Sequence, residues 1–270
     1  MCALRVAEAG WAAPEHACLM YEGEDGFLKE GVRFLAEGVA AGDSVLYLST
    51  RSEDQMRVDV AALGATDQLV RARSLAFLSY PPELDVVPEE QLAYLAEVSE
   101  QAMAVGHRGL RVLAELTALA GDPVRRRALL RYEHLADRYM TTHRMTALCV
   151  VDRGRVGDEA AAGVDALHPS HMGSGPGSGF RLLPAADGLR ITGAVDAWDA
   201  DRLGELLLAI TAEGAEVRLH LEHLQFIGAR GLRVLAECRE RLAGGGGQLR
   251  LVGAKPIVQR AVGVLGLDLS

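Results

Sequence analysis

The chain is poor in lysine and carries a net negative charge. Its only lysines are Lys29 and Lys255, so nearly all positive charge is arginine. The formal net charge of -9 argues against a broad surface for binding phosphate groups. No basic recognition helix stands out either, so we expect no direct contact with nucleic acid.

Two further absences bear on location and on metal binding. The longest apolar runs are far shorter than a membrane span, and the N-terminus lacks the basic start and apolar centre of a secretory signal. The 4 cysteines are scattered without a CxxC pair, a spacing that disfavours a structural metal site. We therefore expect a cytoplasmic protein with no membrane contact, no metal and no cofactor.

Catalytic motifs are also missing. The phosphate-binding motif GxxxxGK followed by serine or threonine does not occur, and the nearest stretch in character, Gly38 to Ser44, has no lysine. Without the glycine cradle and the lysine, triphosphate binding loses its main contacts. The nucleophile motif GxSxG is absent as well. We therefore expect no catalytic residues.

The first half of the chain alternates strands and helices. Segments typical of strands occur at 17–21, 44–48, 110–116 and 145–151, with a weaker one within 69–78. The segments between them have helical periodicity. The helix after Asp122-Pro123 is predicted to bury a stripe of Ala128, Tyr132, Leu135 and Tyr139. Such alternation predicts a parallel sheet covered by helices on both faces.

A glycine- and serine-rich segment divides the chain. Residues 170–179 read SHMGSGPGSG, a composition that cannot bury a core and predicts a flexible linker. We therefore predict one domain at 1–169 and a second at 180–270.

The second domain is predicted to be a small α/β unit. Residues 180–183 and 189–192 are predicted to form paired strands, and 198–210 a helix. Val217 to Val252 then predicts strand, helix and strand, for which a right-handed parallel crossover is the default.

Five short stretches follow the order found in the MEDS sensory domain. They are His16-Ala-Cys-Leu-Met-Tyr21, Gly38-Val-Ala-Ala-Gly-Asp43, Arg111-Val-Leu-Ala-Glu115, Ala147-Leu-Cys-Val-Val-Asp152 and His168-Pro169. The first half therefore resembles this domain, which occurs in bacterial and archaeal regulators and is related to the RecA/KaiC-like ATPase fold. The resemblance implies a RecA/KaiC-like parallel sheet, here without Walker A. One departure is Val151, where the family often has an aromatic residue.

A candidate sensory pocket consists of residues at or near strand ends: His16, Tyr21, Arg111, Glu115, Cys149 and His168. In open parallel sheets, ligand crevices lie outside the carboxyl ends of the strands. Glu115 is the most unusual member, because a carboxylate within an apolar strand is costly unless it is paired. The alternative for any single member is a structural ion pair or a strand-end cap.

The turn Phe226-Ile-Gly-Ala-Arg-Gly-Leu232 resembles the strand-to-helix turn of STAS domains, the fold of the bacterial anti-sigma-factor antagonists. That family commonly has Phe-Ile-Asp-Ser-Ser/Thr-Gly-Leu here. The resemblance implies that the helix start docks on a partner kinase, which phosphorylates the serine after the aspartate and so abolishes docking. The matching position in this chain is Ala229, which has no hydroxyl.

The resemblance implies a partner-binding surface at Gly228, Ala229, Arg230, Gly231 and Arg233. Gly228 stands at the aspartate position and Arg230 at the second hydroxyl position. We expect this surface to bind a partner that cannot be released by phosphorylation at Ala229. The alternative is a degenerate domain kept for dimerisation or packing.

Together the two resemblances predict a bacterial signalling regulator, not an enzyme. Its STAS domain would bind an anti-sigma factor or a serine-kinase-like protein, and homo-oligomers remain open. Two other functions are kept as alternatives. One is a nucleotide hydrolase or phosphotransferase built on the first half, with Glu115 activating water, and the other is an oligomeric scaffold that displays STAS domains.

Overall fold

The first domain is built on a six-stranded sheet in which all neighbouring strands are parallel. The computed structural model describes residues 16–23, 26–62, 75–173 and 177–268. The strands are β1 His16–Tyr21, β2 Ser44–Ser49, β3 Leu75–Ser79, β4 Leu110–Glu115, β5 Met145–Asp152 and β6 Ser170–Gly173. Their order is β3-β2-β4-β5-β1-β6. The predicted parallel sheet is therefore confirmed; residues 69–74 of the weaker predicted strand lie outside the described residues.

Helices cover both faces of this sheet. They are α1 Leu28–Ala41, α2 Glu53–Ala62, α3 Pro88–Ala104, α4 Thr117–Gly121, α5 Pro123–Met140, α6 Arg153–Val156 and α7 Asp158–Asp165. Along β1 the residues alternate between the faces. Ala17, Leu19 and Tyr21 join the core beneath α1 and α2, whereas Cys18 and Met20 join the core beneath α3, α5 and α7.

Helix α5 begins as predicted but buries a different side. The Asp122 side chain accepts hydrogen bonds from the backbone N–H groups of Val124 and Arg125, which caps the helix. The predicted stripe is only half buried. The most buried side contains Leu129, Leu130, Glu133, Ala136, Asp137 and Met140. The carboxylates of Glu133 and Asp137 therefore face the core. Hydrophobic periodicity cannot predict this, because it assigns charged residues to the solvent-facing side of a helix.

The second domain is a mixed sheet with helices. Its strands are β7 Phe180–Ala185, β8 Gly188–Val195, β9 Glu216–His220, β10 Leu224–Ile227 and β11 Gln248–Val252, and its helices are α8 Asp199–Ile210, α9 Ala229–Gly244 and α10 Pro256–Val264. β7 and β8 form the predicted antiparallel pair. β9 and β11 are parallel neighbours, as the predicted crossover requires. β10 was not predicted, and it pairs with the end of β8.

One hydrophobic core runs through both domains, and α5 lies within it. On the side facing the second domain, Arg127 donates to the Leu208 carbonyl and Arg131 donates to the Ile210 carbonyl, at 3.4 and 3.2 Å. These carbonyls belong to the last turn of α8, where the helix dipole favours positive charge. The same helix thus supports the parallel sheet and the end of α8.

The segment predicted to be a flexible linker is partly a strand. Residues 170–173 form β6, which pairs with β1 from Ala17 to Met20. Residues 174–176 lie outside the described residues. The composition suggested a linker because glycine and serine bury little surface. The strand forms nonetheless because backbone hydrogen bonds to the edge of β1 need no particular side chains.

Among the residues that the structure describes, none of the helices combines the length and the apolar character needed to cross a bilayer.

Asp165 at the end of α7 links the two domains through a buried carboxylate. Its oxygens lie 2.7 Å from His171 Nδ1, 2.7 Å from the Ser178 backbone nitrogen and 2.9 Å from Arg181 Nη1. Burial raises the pKa of this carboxyl, but the hydrogen bond from His171, the charge of Arg181 and the N–H of Ser178 outweigh burial and hold the pKa below its ordinary value.

We predict that Asp165→Asn lowers the free energy of unfolding by about 3 kcal/mol at neutral pH, because the buried carboxylate is lost and its partly buried partners His171 and Arg181 lose their counter-charge. The native contribution is present above the ordinary carboxyl pKa of about 4 and is lost as pH falls through the lower folded value. Urea unfolding of wild type and variant should therefore converge in acid. Asp187→Asn is the control, since Asp187 pairs with Arg218 and His220 on the surface. An equal effect of both substitutions at neutral pH would contradict the prediction.

Candidate functional site

Four side chains converge in the interior of the first domain. His16 begins β1, Cys149 lies on β5, Glu133 lies on α5, and His168 follows α7. Glu133 Oε2 lies 3.0 Å from His16 Nε2, 3.2 Å from His168 Nε2 and 3.4 Å from Cys149 Sγ. Cys149 Sγ is also 3.6 Å from His16 Nε2. We call these four residues the buried cluster, and none is more than 3% exposed.

The outer nitrogen of each imidazole is held by a second partner. His168 Nδ1 donates to the Val164 carbonyl at 2.9 Å. His16 Nδ1 lies 3.3 Å from Asp137 Oδ1, one helical turn along α5 from Glu133. The two rings lie 4.0 Å apart between centroids, tilted by 46°. Both Nε2 atoms are thereby aimed at Glu133.

The charges in the buried cluster are strongly coupled. Burial lowers the pKa of His16, but its bonds to Asp137 and Glu133 outweigh burial and raise the pKa to about 9. Burial raises the pKa of Glu133, yet His16 and His168 lower it to about 2. Burial, followed by the Glu133 charge, raises the pKa of the Cys149 thiol well above its ordinary value. In the absence of any other ion, the His16 imidazolium, the Glu133 carboxylate and the neutral Cys149 thiol therefore share this interior.

The structure brings together three of the six residues predicted for the sensory pocket: His16, Cys149 and His168. It adds Glu133 and Asp137, which the sequence analysis missed. Their burial could have been inferred from the sequence, because Glu133 and Asp137 are four residues apart on the same side of the helix as Leu129 and Met140. Carboxylates on such an apolar side need buried partners.

Two other predicted pocket residues lie at the carboxyl ends of the strands. Tyr21 Oη is 3.5 Å from Thr117 Oγ1. Glu115 Oε1 accepts the backbone N–H of Thr117 at 3.0 Å, and its Oε2 accepts from Thr50 at 3.5 Å. The Glu115 carboxylate therefore accepts a backbone N–H group at the start of α4.

Arg111 lies near the start of β4, far from Glu115 along the strand and on the opposite face of the sheet from the buried cluster. Its guanidinium pairs with Asp43 at 3.3 Å, donates to the Phe34 carbonyl at 3.2 Å and stacks over the Phe34 ring. It also fills the space beside Gly38, where a Cβ atom would meet Arg111 Cδ at 2.6 Å. Arg111 therefore has a packing role between α1 and β4.

An apolar cavity of about 260 Å³ lies at the carboxyl ends of the central strands. Its lining includes Leu48, Leu78, Tyr80, Leu116, Leu129 and Tyr132. Tyr132 precedes Glu133 on α5, so the cavity and the buried cluster share this helix. A lining of this kind favours a small apolar ligand.

The predicted partner-binding turn lies where two helices of the second domain begin. The end of β8 leads to α8, the neighbouring β10 leads to α9, and the Gly228 N–H donates to the Val195 carbonyl at 2.9 Å. Arg230 on α9 bonds both carboxylate oxygens of Asp201 on α8, at 2.7 and 2.5 Å. Trp198 and Phe226 are 87% and 56% exposed at the same edge.

The five residues predicted for this surface differ in accessibility. Ala229, Arg230 and Arg233 are exposed, and Gly228 is half buried. Gly231 is buried, and a Cβ atom there would lie 2.8 Å from Ile227 Cγ1 and 3.1 Å from Val195 Cγ1. Gly231 therefore shapes the turn by close packing and offers no surface to a partner.

We predict that two Gly→Ala substitutions in α9 differ in their effect on stability. Gly231→Ala should lower the free energy of unfolding by about 1–3 kcal/mol, because the added methyl group overpacks the turn. Gly244→Ala should leave it unchanged or raise it by up to about 1 kcal/mol, since alanine favours the helix and a Cβ there has no neighbour within 4 Å. Urea unfolding measures both, and a stabilising Gly231→Ala would contradict the packing described here.

The two domains match known families. A family model of the MEDS (MEthanogen/methylotroph, DcmR Sensory) domain matches residues 15–169. A model of the STAS domain matches residues 187–270. The comparison with curated proteins returned no match. The chain therefore belongs to the MEDS family, and a STAS domain follows its sensory domain.

Proposed function

We propose that this chain is a bacterial signalling regulator whose STAS domain binds an anti-sigma factor or a related serine kinase. The family matches support a signalling role with features of an anti-sigma-factor antagonist. The observation that carries the proposal is the edge where α8 and α9 begin, because it combines exposed aromatic side chains with the turn at which the family docks. We call this edge, made of Trp198, Asp201, Phe226, Ala229 and Arg230, the docking edge.

The chemistry of the docking edge is that of a protein interface. Trp198 and Phe226 offer large apolar surfaces, and aromatic residues are enriched among those that contribute most to binding. Arg230 and Asp201 form an exposed pair, which contributes little to stability. A partner can therefore rearrange this pair at small cost and recruit either charge.

Regulation at the docking edge would not use a phosphoserine. Ala229 is exposed at the family's acceptor position but has no hydroxyl. We propose that the sensory domain takes over this regulation through α5 and α8. Arg127 and Arg131 on α5 donate to carbonyls at the end of α8, and Asp201 near the start of α8 accepts hydrogen bonds from Arg230. A displacement of α5 would therefore move α8 and change the geometry of the docking edge.

We further propose that the chain acts without catalysis and in the cytoplasm. The absence of catalysis is supported by Glu115, the residue suggested to activate water. Its two carboxylate oxygens accept hydrogen bonds from Thr117 and Thr50. The second rests on the class of partner, since anti-sigma factors and their kinases act on the transcription apparatus. No direct contact with nucleic acid or membrane is included in the proposal.

Affinity purification with mass spectrometry from native lysate tests the proposal. Wild type should recover an anti-sigma factor or kinase-like protein, and both Trp198→Ala and Arg230→Glu should reduce its yield at least about tenfold, as expected for residues at an interface centre. Val105→Ala is the control, because Val105 is 77% exposed in the sensory domain and should leave the yield unchanged. Recovery of no such partner, or equal recovery with all variants, would contradict the proposal.

A further inference from the structure

The spacing of the buried cluster is that of a tetrahedral metal site. With ligand bonds of about 2.0–2.3 Å, the edges of such a tetrahedron are roughly 3.3–3.7 Å long. Four of the six separations among the donor atoms are 3.0, 3.2, 3.4 and 3.6 Å. All four donors lie within 4.8 Å of one another. An ion at their centre would need only small movements of the side chains.

The imidazoles have the outer contacts that metal-binding histidines usually have. Such histidines present one nitrogen to the metal and donate from the other to a carboxylate or a backbone carbonyl. His16 Nδ1 faces the Asp137 carboxylate and His168 Nδ1 donates to the Val164 carbonyl. Both Nε2 atoms are left to face the interior of the buried cluster.

Hydrogen bonding alone leaves the buried cluster incomplete. His168 Nε2 lies near Glu133 Oε2 without the geometry of a hydrogen bond, and Glu133 Oε1 has no partner either. Both side chains are fully buried. Unpaired buried polar atoms are costly. A cation bound by the carboxylate and by His168 Nε2 would satisfy both side chains.

We propose that His16, Glu133, Cys149 and His168 bind one divalent transition-metal ion, and that Zn²⁺ fits this donor set best. Two imidazole nitrogens, a thiolate and a carboxylate oxygen are all common zinc ligands, and four protein ligands leave no open position for catalysis. Binding would release two protons to solvent, one from the Cys149 thiol and one from Nε2 of the His16 imidazolium, so that a thiolate and a neutral imidazole form bonds to the metal.

The sequence spacing gave no sign of this site, because each ligand comes from a different segment of the chain. The ion would join β1, α5, β5 and the segment after α7 that contains His168. Of these elements, α5 also donates hydrogen bonds to the end of α8 through Arg127 and Arg131. Metal occupancy would therefore set the position of the helix that joins the sensory domain to the second domain.

Metal analysis of the full-length chain without a histidine tag tests the inference. After chelation and refilling with Zn²⁺, we expect about one equivalent per chain by elemental mass spectrometry. Refilling with Co²⁺ should give the absorption of a tetrahedral site with a thiolate-to-cobalt charge-transfer band. Cys149→Ser should abolish that band. Cys18→Ser is the matched control, because Cys18 is buried directly opposite Cys149 in the sheet register but is not a ligand.

Asp137→Asn tests the contact between His16 Nδ1 and the Asp137 carboxylate through the affinity for Zn²⁺. Loss of such a partner should weaken Zn²⁺ binding about 10–100-fold without removing the charge-transfer band. The Co²⁺ spectrum of the wild-type chain gives a result even if a variant fails to fold. Absence of stoichiometric metal after refilling, absence of the thiolate band in wild type, or equal losses in Cys149→Ser and Cys18→Ser would overturn the inference.

Discussion

The burial of Glu133 is the constraint on which the rest of the structure depends. A carboxylate in an apolar interior is costly unless charged or polar partners surround it. Glu133 is fully buried, and His16, His168 and Cys149 all lie within 3.4 Å of its Oε2 atom. This requirement fixes the rotation of α5 against the sheet. The same helix carries Arg127 and Arg131, which donate to carbonyls at the end of α8, so the helix that buries Glu133 also contacts the second domain.

The secondary structure of both domains could largely be predicted from the sequence. Apolar runs located the central strands, and the Asp122-Pro123 pair located the start of α5, because these signals are local. Two strands were missed for a physical reason. β10 and β6 form by adding backbone hydrogen bonds to the edges of β8 and β1. Their own residues, which include glycine and exposed side chains, carry little of the periodicity that identifies a buried strand.

The candidate site could be predicted only in part. His16, Cys149 and His168 were found because they lie at or near strand ends, but the same reasoning grouped them with Arg111, which packs against Phe34 on the other face of the sheet. Glu133 was missed, since a charged residue on a helix is normally placed in solvent. Its burial depends on histidines 117 and 35 positions away in the chain, and such pairings are visible only once the fold brings the segments together.

The central claim is that the buried cluster and the STAS domain are mechanically joined through α5. Hydrogen–deuterium exchange of the full-length chain, comparing wild type with Glu133→Gln, tests it most directly. The account predicts faster exchange in α5 and also in α8, Asp199–Ile210, although no residue of α8 belongs to the buried cluster. Faster exchange confined to the sensory domain, with α8 and the docking edge unchanged, would contradict the claim.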